Sequence, residues 1–316
     1  MTTEELIAAR RAEPWREALR KSKKNKERTD IPRVEMNELD AEYRSHTRLE
    51  EVNLGLTKEQ AMQEAQRCLD CPNPTCMQGC PVSINIPTFV KNIERGEFLE
   101  APRVLKETSA LPAVCGRVCP QEKQCESKCI HLKMGKPAVA IGYLERFAAD
   151  YERESGNISI SEVAEKNGIK IAVVGSGPAG LSFAGDMAKR GYDVTVFEAL
   201  HEIGGVLKYG IPEFRLPNKI VDVEIEGLRK MGVKFMTNCI VGKTISYDDL
   251  HADGFKGIFA ASGAGLPNFM NIPGENLVGV MSSNEYLTRV NLMDAANPDS
   301  DTPVLQGKKV AVIGGG

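Results

Sequence analysis

Eight of the nine cysteines in this chain lie between Cys68 and Cys129, and only Cys239 stands apart. The spacing is Cys-x2-Cys-x4-Cys-x3-Cys-Pro from Cys68 to Pro81, and Cys-x3-Cys-Pro-x4-Cys-x3-Cys from Cys115 to Cys129. Thiolates are soft ligands that suit iron–sulfur clusters and zinc. Clustered cysteines in a reducing compartment favour metal ligation over disulfides. The crowding therefore predicts metal centres in the first half of the chain.

The order of the spacings favours iron–sulfur clusters over zinc. The pair Cys68 and Cys71 places two thiolates on one turn, within reach of one cluster. The run Cys76-x3-Cys80-Pro81 resembles bacterial ferredoxins, in which the last cysteine before proline serves the other cluster. The two cysteine groups are therefore expected to interlock. The alternative is two four-cysteine zinc sites, although zinc modules usually repeat Cys-x2-Cys pairs and only one is present here.

The compartment and the class of partner follow from the ends and the charge of the sequence. The N-terminus, Met1 to Glu5, lacks the basic and apolar regions of a signal peptide, and no apolar run is long enough to span a bilayer. A net charge of -3 gives no reason to expect nucleic acid or an anionic membrane as partner. A cytoplasmic protein with neither partner is expected.

The segment around the cysteines is predicted to be mostly helical. Helices are expected after the N-cap Thr57, from Pro87 to near Gly96, and from Ala138 to about Tyr151, where apolar residues recur at helical spacing. Residues 1–60 are polar, and we interpret their basic stretch as a solvated connector. A docking arm for an acidic partner is the alternative.

A strand–loop–helix–strand unit begins near Ile169. The apolar strand 169–174 is followed by a Gly-x-Gly-x-x-Gly loop, a helix and the strand 193–197, which Glu198 follows. The first glycine of such a loop permits the turn, the second admits a pyrophosphate and the third allows close helix packing. With Glu198 placed to accept hydrogen bonds from ribose, the unit predicts dinucleotide binding. The expected contacts are Gly175, Gly177, Pro178, Ala179, Gly180 and Glu198.

The same strand-and-glycine pattern recurs at the end of the sequence. Residues 169–177 read IKIAVVGSG and residues 308–316 read KKVAVIGGG. The second copy predicts a strand from Lys309 to Ile313 that opens another nucleotide domain. Because this copy stops at its glycines, we expect the chain to be a fragment of a longer protein.

Three segments together resemble one family of iron–sulfur flavoproteins. They are Leu111–Glu122, the tripeptide Cys80-Pro81-Val82 and Ile141–Phe147. They look like the N-terminal domain of the glutamate synthase small-subunit family. The same domain occurs in dihydropyrimidine dehydrogenase and in the large subunit of the electron-bifurcating NADH-dependent ferredoxin:NADP oxidoreductase. The resemblance runs over residues 57–316.

The resemblance implies two 4Fe-4S clusters and their ligands. Dihydropyrimidine dehydrogenase resembles this site but has glutamine at the position of Glu145. Cys115 would be a spare structural cysteine. One cluster would be held by Cys68, Cys71, Cys76 and Cys129, and the other by Cys80, Cys119, Cys125 and Glu145.

The resemblance also implies FAD in the first nucleotide domain. The segment Gly204–Pro217 looks like the family's stretch after the ribose acid, and Ala260–Gly265 resembles its turn back toward the flavin. The implied contacts there are Gly204, Gly205, Leu207, Arg215 and Gly263. Gly314 and Gly316 would begin the NADPH or NADH site, most of which would lie beyond the end of the sequence.

The implied fold is α/β. An α-helical double-cluster domain with an N-terminal extension (1–155) would precede a Rossmann-like FAD domain (165–307) and the start of a second Rossmann-like domain (308–316). The implied activity is oxidation of NAD(P)H, with electrons passing through FAD and the clusters to a partner such as the glutamate synthase large subunit or a ferredoxin-linked flavoprotein. No catalytic residue is assigned. The alternatives are a bifurcating or pyrimidine-reducing relative, and a non-catalytic zinc-stabilised interaction module.

Overall fold

A change from helices to a parallel sheet divides the chain at Gly156. The computed structural model describes residues 3–314. Before Gly156 the chain is helical, and that glycine ends the last helix in the left-handed conformation, at φ 72°. The next regular element is a strand that begins at Lys170. The order of helical and α/β parts is therefore the one predicted.

The helical part surrounds the cysteines with short helices. Its antiparallel ribbon, β1 Asn37–Glu38 and β2 Asn53–Gly55, had no counterpart in the sequence prediction. Two 3₁₀ turns, Gln121–Lys123 and Glu126–Lys128, follow in the chain, and Cys125 and Cys129 flank the second of them. The helices are α1 Thr3–Arg11, α2 Pro14–Ser22, α3 Asn25–Asp30, α4 Ala41–His46, α5 Lys58–Gln66, α6 Thr75–Gln78, α7 Ile86–Glu94, α8 Glu100–Lys106, α9 Pro112–Val118, α10 Ile130–Lys133 and α11 Ile141–Ser155.

Local sequence explains where the predicted helices begin. Thr57 and Gln60 form a reciprocal capping box at the start of α5, as its sequence indicated. Helix α7 begins at Ile86 with a proline in its first turn, and Phe89 and Ile93 on it are fully buried. Leu144 on α11 packs into the same core. These contacts position the helices from which the cysteine loops extend.

The second part is a four-stranded parallel sheet in the order β5–β4–β3–β6. Helix α12 forms the crossover from β3 to β4, and these three elements are the predicted β–α–β unit. The strands are β3 Lys170–Val174, β4 Asp193–Phe197, β5 Lys234–Met236 and β6 Phe255–Ala260. The helices are α12 Pro178–Lys189, α13 Val206–Tyr209, α14 Asn218–Lys230, α15 Tyr247–Ala252 and α16 Ser283–Leu287, with a π-helix at Thr288–Leu292.

The predicted strand from Lys309 to Ile313 is wrong for this structure. The residues from 308 to 314 form no helix or strand, and Val310 and Val312 are 73% and 83% exposed. An isolated strand gains neither ladder hydrogen bonds nor a buried face, so the apolar pattern alone does not order it.

Residues 1–60 are not wholly solvated, although most of the basic stretch 21–28 is solvated, as interpreted. Arg16 and Arg28 in this segment are each 1% exposed and form ion pairs with Asp70 and Glu94 of the helical part. Within the basic stretch, the side chains from Lys21 to Glu27 are partly or fully exposed, and only Arg28 is buried. These two arginines therefore anchor the segment to the helical part, while most of its basic stretch faces solvent.

Among residues 3–314, the helices are all too short or too polar to cross a bilayer.

Candidate cofactor sites

Four of the predicted ligands line one pocket in the helical part. The pocket holds about 420 Å³ of empty space, open mouth included, and its remaining walls are largely apolar side chains of α7 and of the segment 139–141. The cysteines that line it are Cys68, Cys71, Cys76 and Cys129. The structure thus brings together side chains that are 61 residues apart in sequence, in the set that the family resemblance implied.

Cys68, Cys71 and Cys76 would resist ionisation in the protein alone. Burial raises the pKa of Cys76 well above its usual value, and the neighbouring thiols of Cys68, Cys129 and Cys71 raise it further. Burial also raises the pKa of Cys68 to about 11. Four adjacent thiolates in an apolar wall would need a cationic centre, which a cluster of iron ions supplies. The donor set and its enclosure therefore fit a 4Fe-4S group.

A second group of thiols lies within electrostatic reach of Glu145 or of one another. Burial raises the pKa of Cys119 to about 11, and the nearby charges of Glu145 and Cys80 add to that effect. Burial likewise raises the pKa of Cys125 to about 12, with contributions from the charges of Glu126, Glu145, Cys80 and Cys119. The predicted second set is therefore mutually close.

Glu145 itself is a buried carboxyl with an unsatisfied oxygen. Its side chain is 5% exposed, and its Oε1 atom has no hydrogen-bond partner. Burial, and secondarily the charge of Glu224, raises the pKa of Glu145 to about 8. A buried acceptor normally finds a donor or a metal, because leaving it unpaired is unfavourable. Glu145 therefore fits the role of a fourth ligand beside three cysteines.

Cys115 lies close to the same group. Burial raises its pKa, and the charges of Glu145, Cys119 and Glu224 raise it further. It is one helical turn before Cys119, with the Cys119 N–H donating to the Cys115 carbonyl at 3.0 Å. The structure thus places Cys115 and Glu145 near one another, and the assignment of Cys115 as the spare cysteine stays a prediction.

Two glycines allow the ligand-bearing segments to meet. A Cβ atom at Gly116 on α9 would lie 2.5 Å from the backbone nitrogen of Arg146 on α11. A Cβ atom at Gly79 would lie 2.6 Å from the backbone oxygen of Gln124. The first contact brings the α9 cysteines to Glu145. The second seats the Cys76–Cys80 loop against the loop that carries Cys125 and Cys129, so the two cysteine groups pack into each other.

The thiols surround open space rather than one point. Among the residues that the structure describes, no three His, Cys, Asp or Glu side chains converge closely enough to hold a single metal ion. The backbone N–H of Ile84 approaches the Cys80 sulfur at 3.5 Å, and hydrogen bonds of this type to ligand sulfurs tune cluster potentials.

In the α/β part, the glycine-rich loop has the geometry of a pyrophosphate cradle. Gly175 has φ 101°, and a Cβ atom there would lie 2.3 Å from the Ala261 carbonyl oxygen. A Cβ atom at Gly180 would lie 2.0 Å from the carbonyl oxygen of Gly175, so α12 packs directly on the loop. At Gly177 nothing lies within 4 Å, which leaves the space beside the helix N-terminus open.

A hydrogen-bond network that sequence analysis missed holds this loop. Glu198 at the end of β4 accepts from the backbone N–H and the hydroxyl of Ser176, at 2.8 and 2.5 Å. The Ser176 Oγ in turn accepts from the N–H of Gly204 at 3.0 Å. Ser176 is fully buried. It occupies a variable position of the glycine motif, so no sequence signal marks it.

Of the other predicted FAD contacts, Pro178, Ala179 and Gly205 lie at the same loop. Pro178 and Ala179 form the exposed first turn of α12. A Cβ atom at Gly205, which has φ 54°, would lie 2.8 Å from the Gly177 Cα atom. Leu207 is buried in α13. Arg215 is exposed, and its side chain forms no hydrogen bond with the residues that the structure describes.

The later glycines are open positions. Gly263 follows β6 with φ 72°, and Gly314 has φ 97° with no atom within 4 Å of an added Cβ. Gly316 lies outside the described residues. The turn that begins at Ala261 is joined to the loop strand, because its N–H donates to the Val174 carbonyl at 2.8 Å.

One buried contact joins the two parts of the chain. Glu224 on α14 accepts a hydrogen bond from the backbone N–H of Ala113 at 2.6 Å. Ala113 lies in the first turn of α9, the helix that carries Cys115. The α/β part is therefore anchored directly beside the second thiol group.

Two protein-family models match this chain. One, described as dihydropyrimidine dehydrogenase domain II, 4Fe-4S cluster, matches residues 44–157. The other, described as pyridine nucleotide-disulphide oxidoreductase, matches residues 169–316.

Curated relatives carry both regions. The NAD-dependent dihydropyrimidine dehydrogenase subunit PreT of Escherichia coli (strain K12) is 39% identical over 70% of this chain and 54% of its own length. The glutamate synthase (NADPH) small chain of the same strain is 35% identical over 81% of this chain and 55% of its own. The corresponding small chain of Azospirillum brasilense is 33% identical over 84% of this chain and 56% of its own. The chain thus spans about half the length of these relatives.

Proposed function

The chain is a homologue of the glutamate synthase small chains and the PreT subunits, and from that premise we propose that it belongs to an NAD(P)H-oxidising electron-input subunit. Its 4Fe-4S domain and its pyridine nucleotide-disulphide oxidoreductase domain would act in series. When bound, FAD accepts hydride from NAD(P)H, and the clusters pass the electrons on singly. The protein that receives them would be a separate subunit, and the cytosol is the expected compartment because the thiols must stay reduced.

The observation that carries this proposal is the thiol-lined pocket. Four cysteines from two distant segments line its wall. The charges of Glu145 and Cys80 both act on Cys119 and Cys125, and the Glu145 Oε1 atom has no hydrogen-bond partner. The raised pKa values of Cys76 and Cys125 mean that these two thiols are poor thiolates without a cation beside them. Two four-ligand sites of this kind fit two 4Fe-4S clusters. A zinc-stabilised interaction module would use the thiols but would leave the glycine loop without a role.

The glycine loop supports a dinucleotide in the second part. The open space at Gly177 faces the N-terminus of α12, where unpaired N–H groups attract phosphate charge. The carboxylate of Glu198, held by Ser176, lies at the end of the adjacent strand, where a ribose hydroxyl pair would be recognised. These residues would bind and orient FAD. Donation of hydride would come from a nucleotide site built mainly by sequence beyond Gly314.

We consider three classes of partner, two of which correspond to the two kinds of relative. A glutamate synthase large subunit is the partner we propose first, because Glu145 occurs where dihydropyrimidine dehydrogenase resembles this chain but has glutamine. The PreT relatives, at 39% identity, favour a pyrimidine-reducing partner as the second candidate. A ferredoxin-linked flavoprotein of the bifurcating type is a third candidate, favoured by the amino-acid sequence from Gly79 to Pro87.

The test is the metal, acid-labile sulfide and flavin content of the protein purified without oxygen. We expect about eight irons with matching sulfide per chain, together with bound FAD. Zinc without sulfide would overturn the electron-transfer function and favour the interaction module. The partner is tested separately, by measuring whether the reduced protein transfers electrons to a purified glutamate synthase large subunit or to a pyrimidine-reducing subunit.

A further inference from the structure

Asp70 occupies an unusual position between the first two cysteines of the thiol pocket. It lies between Cys68 and Cys71, its side chain is 0% exposed, and its φ is 52°. A non-glycine residue in the left-handed region carries a conformational cost, which the surroundings must offset. A fully buried carboxylate must also be paired. Both conditions require partners from elsewhere in the chain.

The partners are three arginines from the first two helices. Arg16 donates from Nε to both carboxylate oxygens of Asp70 at 3.1 Å, and from Nη2 to Oδ1 at 2.6 Å. Arg20 donates from Nη1 to Oδ2 at 2.6 Å. Arg11 donates from Nε to the backbone carbonyl of Asp70 at 2.8 Å. We call this set of contacts the arginine clamp.

A second route leads from the same N-terminal segment to the Cys68 backbone. Arg28 pairs with Glu94 at 2.8 Å, and Glu94 pairs with Lys91 at 2.5 Å. Lys91, which is fully buried, donates to the Cys68 carbonyl at 2.6 Å. Arg28 and the three clamp arginines all precede residue 44, where the match to the iron–sulfur family model begins. The segment therefore reaches the pocket at two independent points.

We propose that the N-terminal helices α1 and α2 are part of the first thiol site, in which Arg16 and Arg20 are positioning residues that hold the Cys68–Cys71 loop in its ligating conformation and set the local charge. This inference rests on the proposed function, since it concerns a cluster at that site.

The physical basis is both geometric and electrostatic. The guanidinium group of Arg16 fixes the orientation of the Asp70 carboxylate, because its two neighbouring N–H donors leave the carboxylate one favourable geometry. Three guanidinium groups against one carboxylate leave an excess of positive charge beside the pocket. Positive charge favours the reduced state of a cluster, which carries one more electron.

The experiment compares Arg20→Gln with Lys21→Gln in the protein purified without oxygen. Arg20 is 20% exposed and contacts Asp70, whereas its neighbour Lys21 is 75% exposed and pairs with Glu17. Each change removes one positive charge from the same helix. Iron release to a chelator and the midpoint potentials of the two clusters are measured. Arg16→Lys is a further variant, which keeps the positive charge but loses the two neighbouring N–H donors of the guanidinium group.

For Arg20→Gln we expect half of the iron to be released several-fold faster than in the wild type. One cluster should also become about threefold harder to reduce, a shift of about 28 mV at 59 mV per tenfold for one electron. Arg16→Lys should accelerate release of the same half, and Lys21→Gln should match the wild type. Equal release and unchanged potentials in Arg20→Gln would overturn the inference, as would a shift shared by both clusters. A wild-type protein without iron would instead contradict the proposed function.

Discussion

Gly116 on α9 lies so close to Arg146 on α11 that a Cβ atom at Gly116 would be 2.5 Å from the Arg146 backbone nitrogen. Arg146 follows Glu145, and Gly116 follows Cys115. The approach of these two backbones therefore sets the distance between the α9 cysteines and the carboxyl group of Glu145. Backbone cannot move aside as a side chain can, so even one methyl group should separate the helices.

We accordingly predict that Gly116→Ala lowers the free energy of unfolding by about 1–3 kcal/mol, the usual cost of overpacking. It should also release about half of the iron, from the site of Cys119. Thermal unfolding and iron analysis measure the two effects. Gly227→Ala is the control, because an added Cβ atom there meets nothing within 4 Å. Full iron content in Gly116→Ala would show that the second site tolerates a wider separation.

The ligand assignment predicts different outcomes for single cysteine changes. Cys76→Ala and Cys129→Ala should each remove one cluster, because both side chains line the thiol pocket. Cys115→Ala should leave both clusters in place. Iron and sulfide analysis, with electron paramagnetic resonance of the reduced protein, distinguishes these results. Equal iron loss in all three variants would refute the assignment.

Glu145→Ala is expected to remove the cluster that Cys80, Cys119 and Cys125 would hold. The buried carboxyl has an oxygen without a protein partner, and alanine offers no replacement ligand. Glu145→Gln retains an amide oxygen at the same position and should keep most of the iron. The measurement is iron content per chain. If Glu145→Ala keeps all of its iron, the fourth ligand must come from elsewhere, and Cys115 is the adjacent thiol.

At the nucleotide loop, Gly177→Val is predicted to abolish FAD retention while the protein stays folded. The added side chain would enter the open space where the pyrophosphate is expected, and it meets no protein atom within 4 Å of its Cβ. Loss of the favoured N-cap residue should cost only about 1 kcal/mol. Flavin absorbance after gel filtration and thermal unfolding test both parts.

A change at the third glycine provides the contrast. A Cβ atom at Gly180 would lie 2.0 Å from the Gly175 carbonyl oxygen, so Gly180→Val should destabilise the fold itself. Unchanged FAD content in Gly177→Val would place the pyrophosphate elsewhere.

The raised pKa of Glu224 predicts that the free energy of unfolding depends on pH. Burial, opposed by the hydrogen bond from Ala113, raises the pKa of this carboxyl from 4.5 to about 7. The folded state then binds a proton that the unfolded state releases, so stability falls as pH rises from about 4.5 to about 7. The contribution is about 3 kcal/mol at most, at 1.36 kcal/mol per pKa unit.

Glu224→Gln should remove this contribution and flatten the profile, because glutamine can still accept from Ala113 but does not titrate. Chemical unfolding at a series of pH values between 4.5 and 8 is the measurement. A profile identical to that of the wild type would mean that Glu224 titrates normally.

Much of the arrangement could be predicted because it depends on local sequence. The capping box at Thr57, the strands at 169–174 and 193–197 and the order of helical and α/β parts all follow from neighbouring residues. The ferredoxin-like spacing indicated that the cysteine groups interlock, and the structure packs the Cys76–Cys80 loop against Gln124. The ligand sets came from family resemblance, and their chemistry remains to be measured.

The features that could not be predicted depend on contacts between residues far apart in sequence. Arg16 and Asp70 are 54 positions apart, and a basic residue in a polar segment does not reveal which acid it will meet. Ser176 acts through the fold around it, at a position where its motif accepts other residues. The strand expected at 309–313 has the right composition, but a strand needs neighbours that local composition does not provide.

The arginine clamp also bears on how this domain could be reused. A graft of residues 44–157 into another protein would carry Asp70 but leave behind the arginines that neutralise it. The transplanted loop would then lose the donors that pair the Asp70 carboxylate and hold its left-handed backbone, which is unfavourable. A functional graft would have to include α1 and α2, so it would be longer than the segment 44–157 that the family model matches.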